Sequence, residues 1–338
     1  MLTGALLHVG VSAQTSGNGQ ASVQGQAASQ TSKGSSPELL EAEKLNIEVV
    51  KLSTTGKYDS AITLARRVLQ IREKALAPGH ELINSALRNL AELYISKRDY
   101  GEAEDYYQRI LSNYEKMAAP APAVMAKVLD RLALLSYTRS NFNQAEKFYQ
   151  RALALREQAQ GAERLEVASS FYNLAEFYRL RGNYKSAGQY YQQLLEIRGK
   201  LPEGVRHAYG DVKIRYACAL RKDGNPEQAE KVEADDAEAP RSNEANKGDS
   251  EVINGKALSL PKPGYPSEAR GARASGTVAV QVLIDETGKV TFACAVSGPP
   301  LLQLASEQAA LGARFSPTLF QGVPVKVTGV ITYNFVAQ

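Results

Sequence analysis

The sequence predicts a multidomain chain: an all-α array of paired helices, then a small α+β domain of ββαβ order. Two observations carry this. A 42-residue period runs through residues 37 to about 233, and a two-residue alternation replaces it from about Val252. Aromatic side chains recur at Tyr58, Tyr100, Phe142 and Tyr184, with Pro226 in the same register. Alanine follows three places later at Ala61, Ala103, Ala145, Ala187 and Ala229. Leu90-Ala91, Leu132-Ala133, Leu174-Ala175 and Tyr216-Ala217 form further columns. Columns that keep one period without drift mark stacked supersecondary units.

Each unit reads as two antiparallel helices. Helix A carries the Leu-Ala pair, and helix B begins at the aromatic. Gly56, Gly182 and Gly224 stand where helix A must stop in a left-handed conformation. Asp99, Asn141, Asn183 and Asn225 stand one residue before helix B and can cap its free N–H groups. Asp99 with Glu102, and Asn141 with Gln144, have the spacing of a capping box. The alanines let paired helices approach, and the aromatics fill the gap to the next pair. Tyr106, Tyr107, Tyr190 and Tyr191 read as packing residues.

These units resemble the tetratricopeptide repeat in its 42-residue, kinesin-light-chain-like variety. Residues 86–94 and 100–104 carry the likeness, which covers about 41 to 232. The first helix A departs from it at Glu48, and the fifth unit at Pro226. The resemblance implies a right-handed superhelix with helix A lining its concave face. That face would present Asn89, Arg131, Asn173 and Arg215, with Glu92 and Glu176 one turn from the asparagines. Amides and guanidinium groups suit extended peptides and carboxylates.

The remaining segments and totals narrow the function. Leu2 to Ser12 is mostly apolar and ends near a small-residue site, which reads as residues 1–13 of a secretory signal. No Lys or Arg precedes it, so the expected signal is longer than this start. Residues 14–36 read as a polar tether and 234–250 as a flexible linker. A net charge of +4 gives no footprint for nucleic acid. Two cysteines, Cys218 and Cys294, support neither a disulfide framework nor a zinc site. The three histidines lie far apart, and no residue pattern for catalysis, cofactor or metal is present.

In the tail, Val278, Val280, Val282 and Ile284 alternate on one face. Asp285-Glu286-Thr287-Gly288 is a turn, after which Val290, Phe292, Cys294 and Val296 alternate again. A helix is expected over about 299–312, and a last strand from Val325 to Phe335. Cys294 is expected on the helix-facing side, as a small core residue. Residues 251–338 resemble the C-terminal domain of TonB-family proteins. The likeness rests on Tyr265-Pro266, Gly276-Thr277-Val278, Asp285 with Gly288-Lys289-Val290, Ser297-Gly298, Arg314-Phe315 and Phe335. Ala313 stands where that family often has tryptophan.

That resemblance implies a periplasmic domain binding an extended partner by strand addition, in the family typically a segment of an outer-membrane transporter. The expected edge is the last strand, with Lys326, Thr328, Val330 and Thr332 outward. A shielded edge, or one paired with a second copy, is the alternative. The function expected is therefore an exported protein–protein interaction scaffold with two binding parts and no enzymatic activity. Its partners would be proteins, neither nucleic acid nor a small-molecule substrate. The alternative is a TonB-type energy transducer whose membrane anchor lies upstream of this start.

Overall fold

The computed structural model describes residues 36–117, 121–158, 164–202, 206, 209–234, 252–253 and 255–336. The signal, most of the tether and the linker expected from sequence lie outside the described residues. The chain divides into two compact units. One runs to Arg181 and includes Gln193–Tyr209; the other holds Gly182–Gln192 and everything from Gly210.

Helix A of each repeat is α1 (Pro37–Thr54), α3 (Glu81–Ser96), α5 (Pro122–Thr138), α7 (Arg164–Leu180) and α9 (Val212–Lys222). Helix B is α2 (Tyr58–Ala75), α4 (Tyr100–Glu115), α6 (Phe142–Gln158), α8 (Tyr184–Arg198) and α10 (Pro226–Ala234). Every helix B therefore starts on the recurring aromatic or on Pro226, whose fixed φ suits a first helical position.

The turn between the helices is a second column of period 42. Gly56, Arg98, Ser140, Gly182 and Gly224 all have positive φ, between 61° and 84°. The next N–H reaches back across each turn where the bond is recorded, as Lys57 to the Leu52 carbonyl at 2.9 Å and Asn141 to that of Ser136 at 2.8 Å. This closure satisfies the last carbonyls of helix A. Arg98 and Ser140 hold it without glycine, at a cost in backbone strain. The Asp99 carboxylate and the Asn183 amide oxygen then accept the N–H groups of Glu102 and Ser186.

In the first unit, α1 packs on α2, α3 on α4 and α5 on α6, and each hairpin stacks on the next. The alanine column has no exposed surface, and neither do Leu90, Leu132 and Leu174. Burial of one such leucine contributes roughly 1.5–3 kcal/mol. Arg109 with Glu73, and Arg151 with Glu115, tie α4 to α2 and α6 to α4 in the same register.

The second unit joins the last helical pair to the sheet domain. The main sheet holds β3 (Gly276–Ile284), β4 (Val290–Ser297) and β8 (Val327–Phe335) in the antiparallel order β4-β3-β8. One face is covered by α12 (Pro300–Leu311). There Val278, Val280, Val282 and Ile284 meet Leu302, Ala309 and Ala310. A short α11 (Ser267–Gly271) packs beside α12. The main sheet and its helix thus keep the expected ββαβ order. Five short strands were not expected: β1 (Val252–Ile253), β2 (Ala257–Ser259), β5 (Arg314–Phe315), β6 (Thr318–Phe320) and β7 (Val323–Val325). They form two small sheets, β1-β6-β7 and β2-β5.

The reading of the cysteines is corrected. Cys218 of α9 and Cys294 of β4 form a disulfide, with Cα atoms 6.1 Å apart and 76 residues between them in sequence. Cys294 does not face α12. Leu283 pairs with Phe292 but Ile284 pairs with Val290, so Thr291 is an extra residue in β4. Such a bulge turns the side chains that follow to the other face, here as far as a second irregularity at Val296. Val290 stays in the core under α12, while Phe292 and Cys294 join Leu283 on the second face, against Ile214 and Cys218 of α9.

Candidate functional site

The first candidate site is the free edge of β8. Its nine residues pair with β3 from Val327↔Ile284 to Phe335↔Gly276, and among the described residues no strand lies on its other side in the sheet order. Alternate N–H and C=O groups along that side can therefore bond to an added chain. Thr328, Val330 and Thr332 are exposed on the second face, opposite Leu283, Gln281 and Ala279. Val330 is 63% exposed, a large apolar side chain open to water. Lys326 is exposed at the break between β7 and β8.

The sequence reading missed a hollow beside this edge. A cavity of about 250 Å³ is lined by Leu260, Val282, Ile284, Phe315, Gly329 and Ile331 among others. Gly329 puts no side chain into it; a Cβ there would make ordinary contacts, 3.8 Å from Val282 Cγ2 and 4.0 Å from Ile284 Cδ1. A glycine interrupting an apolar alternation was the available signal. The hollow also takes in Val330 and Thr332 along the edge, so an added strand would lie against apolar surface there.

The second candidate site is the polar row of helix A in the first unit. Asn89 is half-buried and donates to the Asn46 amide oxygen at 2.9 Å, one repeat back. Glu92 accepts from the Tyr107 hydroxyl at 2.5 Å and lies 4.0 Å from Arg131. Burial and the neighbouring Glu92 push the Tyr107 phenol well up. Asn173 is half-buried beside Asp130, and Glu176 holds Arg179 in a two-pronged pair at 2.8–3.2 Å. Arg131 is half exposed, and among the described residues its one ion pair is the long contact to Glu92. The row is thus already engaged by bonds within and between repeats, with Arg131 as its most available cation.

Arg215 does not belong to an open row. It is buried, paired with Asp211 at 2.7 Å and stacked over Phe292 at 4.6 Å. The reading by position failed because the last helix A lies against β4.

Behind the row, Arg156 is buried and donates to Ser170 at 2.5 Å and to Asp130 at 2.6 Å. Burial raises the Asp130 carboxyl above its ordinary range, against the pull of Arg156 and Asn173. Arg72, Tyr114, Arg156 and Arg198 are 42 residues apart, a polar column at the end of helix B. Arg72 donates to the Leu82 carbonyl at 2.8 Å and Arg198 to that of Arg206 at 3.4 Å. The period was readable, but long polar side chains at a buried position carry no apolar signal.

Residues 52–116, 124–200 and 166–234 match the tetratricopeptide repeat family. Residues 261–337 match the family described as Gram-negative bacterial TonB protein C-terminal. Among solved structures, BtubC (BKLC) from P. vanneervenii superposes with a TM-score of 0.52 at 20% identity, over 70% of this chain and 96% of that one. A STAND-type signal transduction ATPase with a tetratricopeptide repeat sensor, from Pyrococcus horikoshii, gives 0.51 at 17% identity over 65% and 34%. Both likenesses speak of fold alone. Nephrocystin-3 of Xenopus tropicalis is 37% identical over 57 residues, 17% of this chain and only 4% of that protein. The chain belongs to the tetratricopeptide repeat family and carries a TonB-type C-terminal domain.

Proposed function

We propose that the chain is an exported, non-enzymatic interaction protein of the Gram-negative periplasm. Its helical array holds one protein client, and its β8 edge accepts an extended segment of another by strand addition. The observation that carries this is the one-sided pairing of β8 over nine residues, with an apolar hollow and Val330 flanking the open side. On the array, Asn89, Arg131, Asn173, Glu92 and Glu176 would meet an extended peptide, with Arg131 taking a carboxylate. The disulfide supports export, because structural disulfides persist in oxidising compartments. No described helix is long and apolar enough to cross a membrane. An outer-membrane transporter is the β8 partner this reading favours, on the family match alone.

The test uses proline at two neighbouring positions, Thr328 and Gly329. Successive N–H groups of a strand point to opposite sides, so one of the two substitutions removes an outward donor and the other a bond to β3. Far-UV circular dichroism distinguishes them by their effect on the fold. The variant that stays folded should lose at least tenfold in partner capture from a periplasmic extract. Equal capture by a folded pair of variants would remove strand addition at β8.

A further inference from the structure

We propose that the hollow beside β8 is a side-chain pocket that selects the client, taking one large apolar residue of the extended segment added to this edge. The inference rests on the strand-addition reading of β8 and names the chemistry of what is added. Four consecutive residues of β8, Gly329 to Thr332, border the hollow. Alternate residues of a strand point to opposite faces, so a hollow that touches both sets reaches the edge of the strand. On the core side it meets Val282 and Ile284 of β3, both buried. Across from them stand Phe315 of β5 and Leu260, which follows β2 and is 50% exposed.

Register decides which client residue enters. Gly329 pairs with Val282, on the face that carries Val327 and Ile331 toward the core. Residues directly opposite one another in neighbouring strands put their side chains on the same face. The client residue set against Gly329 therefore points to the core face, where Gly329 contributes no side chain of its own. A dry apolar cavity of roughly 150 Å³ admits a benzene-sized group. At about 250 Å³, the hollow has room for a leucine, isoleucine or phenylalanine side chain. Among the described residues that line it none is charged, and Thr332 supplies the one side-chain hydroxyl. A charged or amide side chain would lose its water there without a replacement bond.

The occupant is a partner chain and not the chain's own linker. Residues 235–251 contain no apolar side chain larger than alanine besides Pro240, and proline cannot donate to a ladder. The pocket also adjoins the side of β8 on which no described strand lies. One extended segment can thus take main-chain bonds from the edge and place one side chain in the hollow. The ladder supplies affinity that is indifferent to sequence, and the hollow supplies the choice.

The test pans random peptides as long as β8, displayed on phage, against the full chain and against its Gly329→Val variant. A Cβ at 329 makes ordinary contacts and valine favours strands, so the variant should resist urea at least as well as the native chain. Should it fail to fold, Gly329→Ala takes its place. The native chain should select a large apolar residue at one fixed position. The variant should select glycine, alanine or serine there, and should bind the native-selected peptides about tenfold more weakly. Identical preferences in the two folded chains would overturn the pocket and leave strand addition standing. No selected peptide from either chain would remove strand addition, and the pocket with it. Peptides that reproduce residues 327–335 would make a second copy the occupant and overturn the separate client.

Discussion

Replacing Asp130 by asparagine should weaken the middle of the array far more than a one-atom change suggests. Arg156 is 4% exposed, and Asp130 is the anion it holds, at 2.6 Å. Asparagine keeps the shape and a hydrogen bond but leaves the guanidinium charge buried without a counter-charge. Breaking a buried pair from one side costs about 3–5 kcal/mol. Because repeat arrays open locally, the loss belongs to α5–α7 and not to the whole chain. In hydrogen exchange it corresponds to about 10²- to 10⁴-fold faster opening of those amides. Adding Arg156→Met to Asp130→Leu removes both charges and the desolvation they carry. That double variant should recover at least half of the loss. A double variant as labile as Asp130→Asn would show that the pair is not what holds this junction.

Two further outcomes are expected. Asp285 closes the β3–β4 turn by accepting from the Thr287 N–H at 2.9 Å, the Thr287 hydroxyl at 2.6 Å and the Lys289 N–H at 3.0 Å. Burial works to raise its carboxyl, but these bonds and the charge of Lys289 outweigh it and hold the group below its ordinary range. Its contribution is therefore present above the unfolded value of about 4 and is lost as pH falls through the lower folded value. Asp285→Asn should cost about 1 kcal/mol at pH 7 in urea unfolding, and the gap to the native chain should close under acid; a constant gap would contradict the assignment. On the array, Arg131→Glu should leave circular dichroism unchanged, because the side chain is half exposed, and should cut array-client capture at least fivefold. Unchanged capture would count against the helix A row as a binding wall.

Most of the fold was legible because its signals are periodic. The alanine and Leu-Ala columns fix the helix pairs, and the aromatic column gives the start of each helix B. The left-handed turns at Arg98 and Ser140 escaped a reading tied to glycine, although they share its 42-residue register. In the tail, the alternation located β3 and β8, but Thr291 broke the phase of β4 and carried Cys294 to the opposite face from the one expected. Strands of two or three residues have too little length to show a period. Of the candidate sites, the edge could be placed from strand order, and the exposed Thr328, Val330 and Thr332 from alternation. Arg215 could not be, since its burial depends on contacts between segments more than 70 residues apart.

The account stands on a partner chain lying along β8, and photo-crosslinking from inside a Gram-negative cell tests this most directly. A photoreactive residue placed singly at Thr328, Val330 and Thr332 should trap one partner. Because these positions share a face, they should map to alternate residues of one extended segment, in a steady register. Crosslinks scattered over unrelated surfaces, or found only with a second copy of this chain, would contradict it.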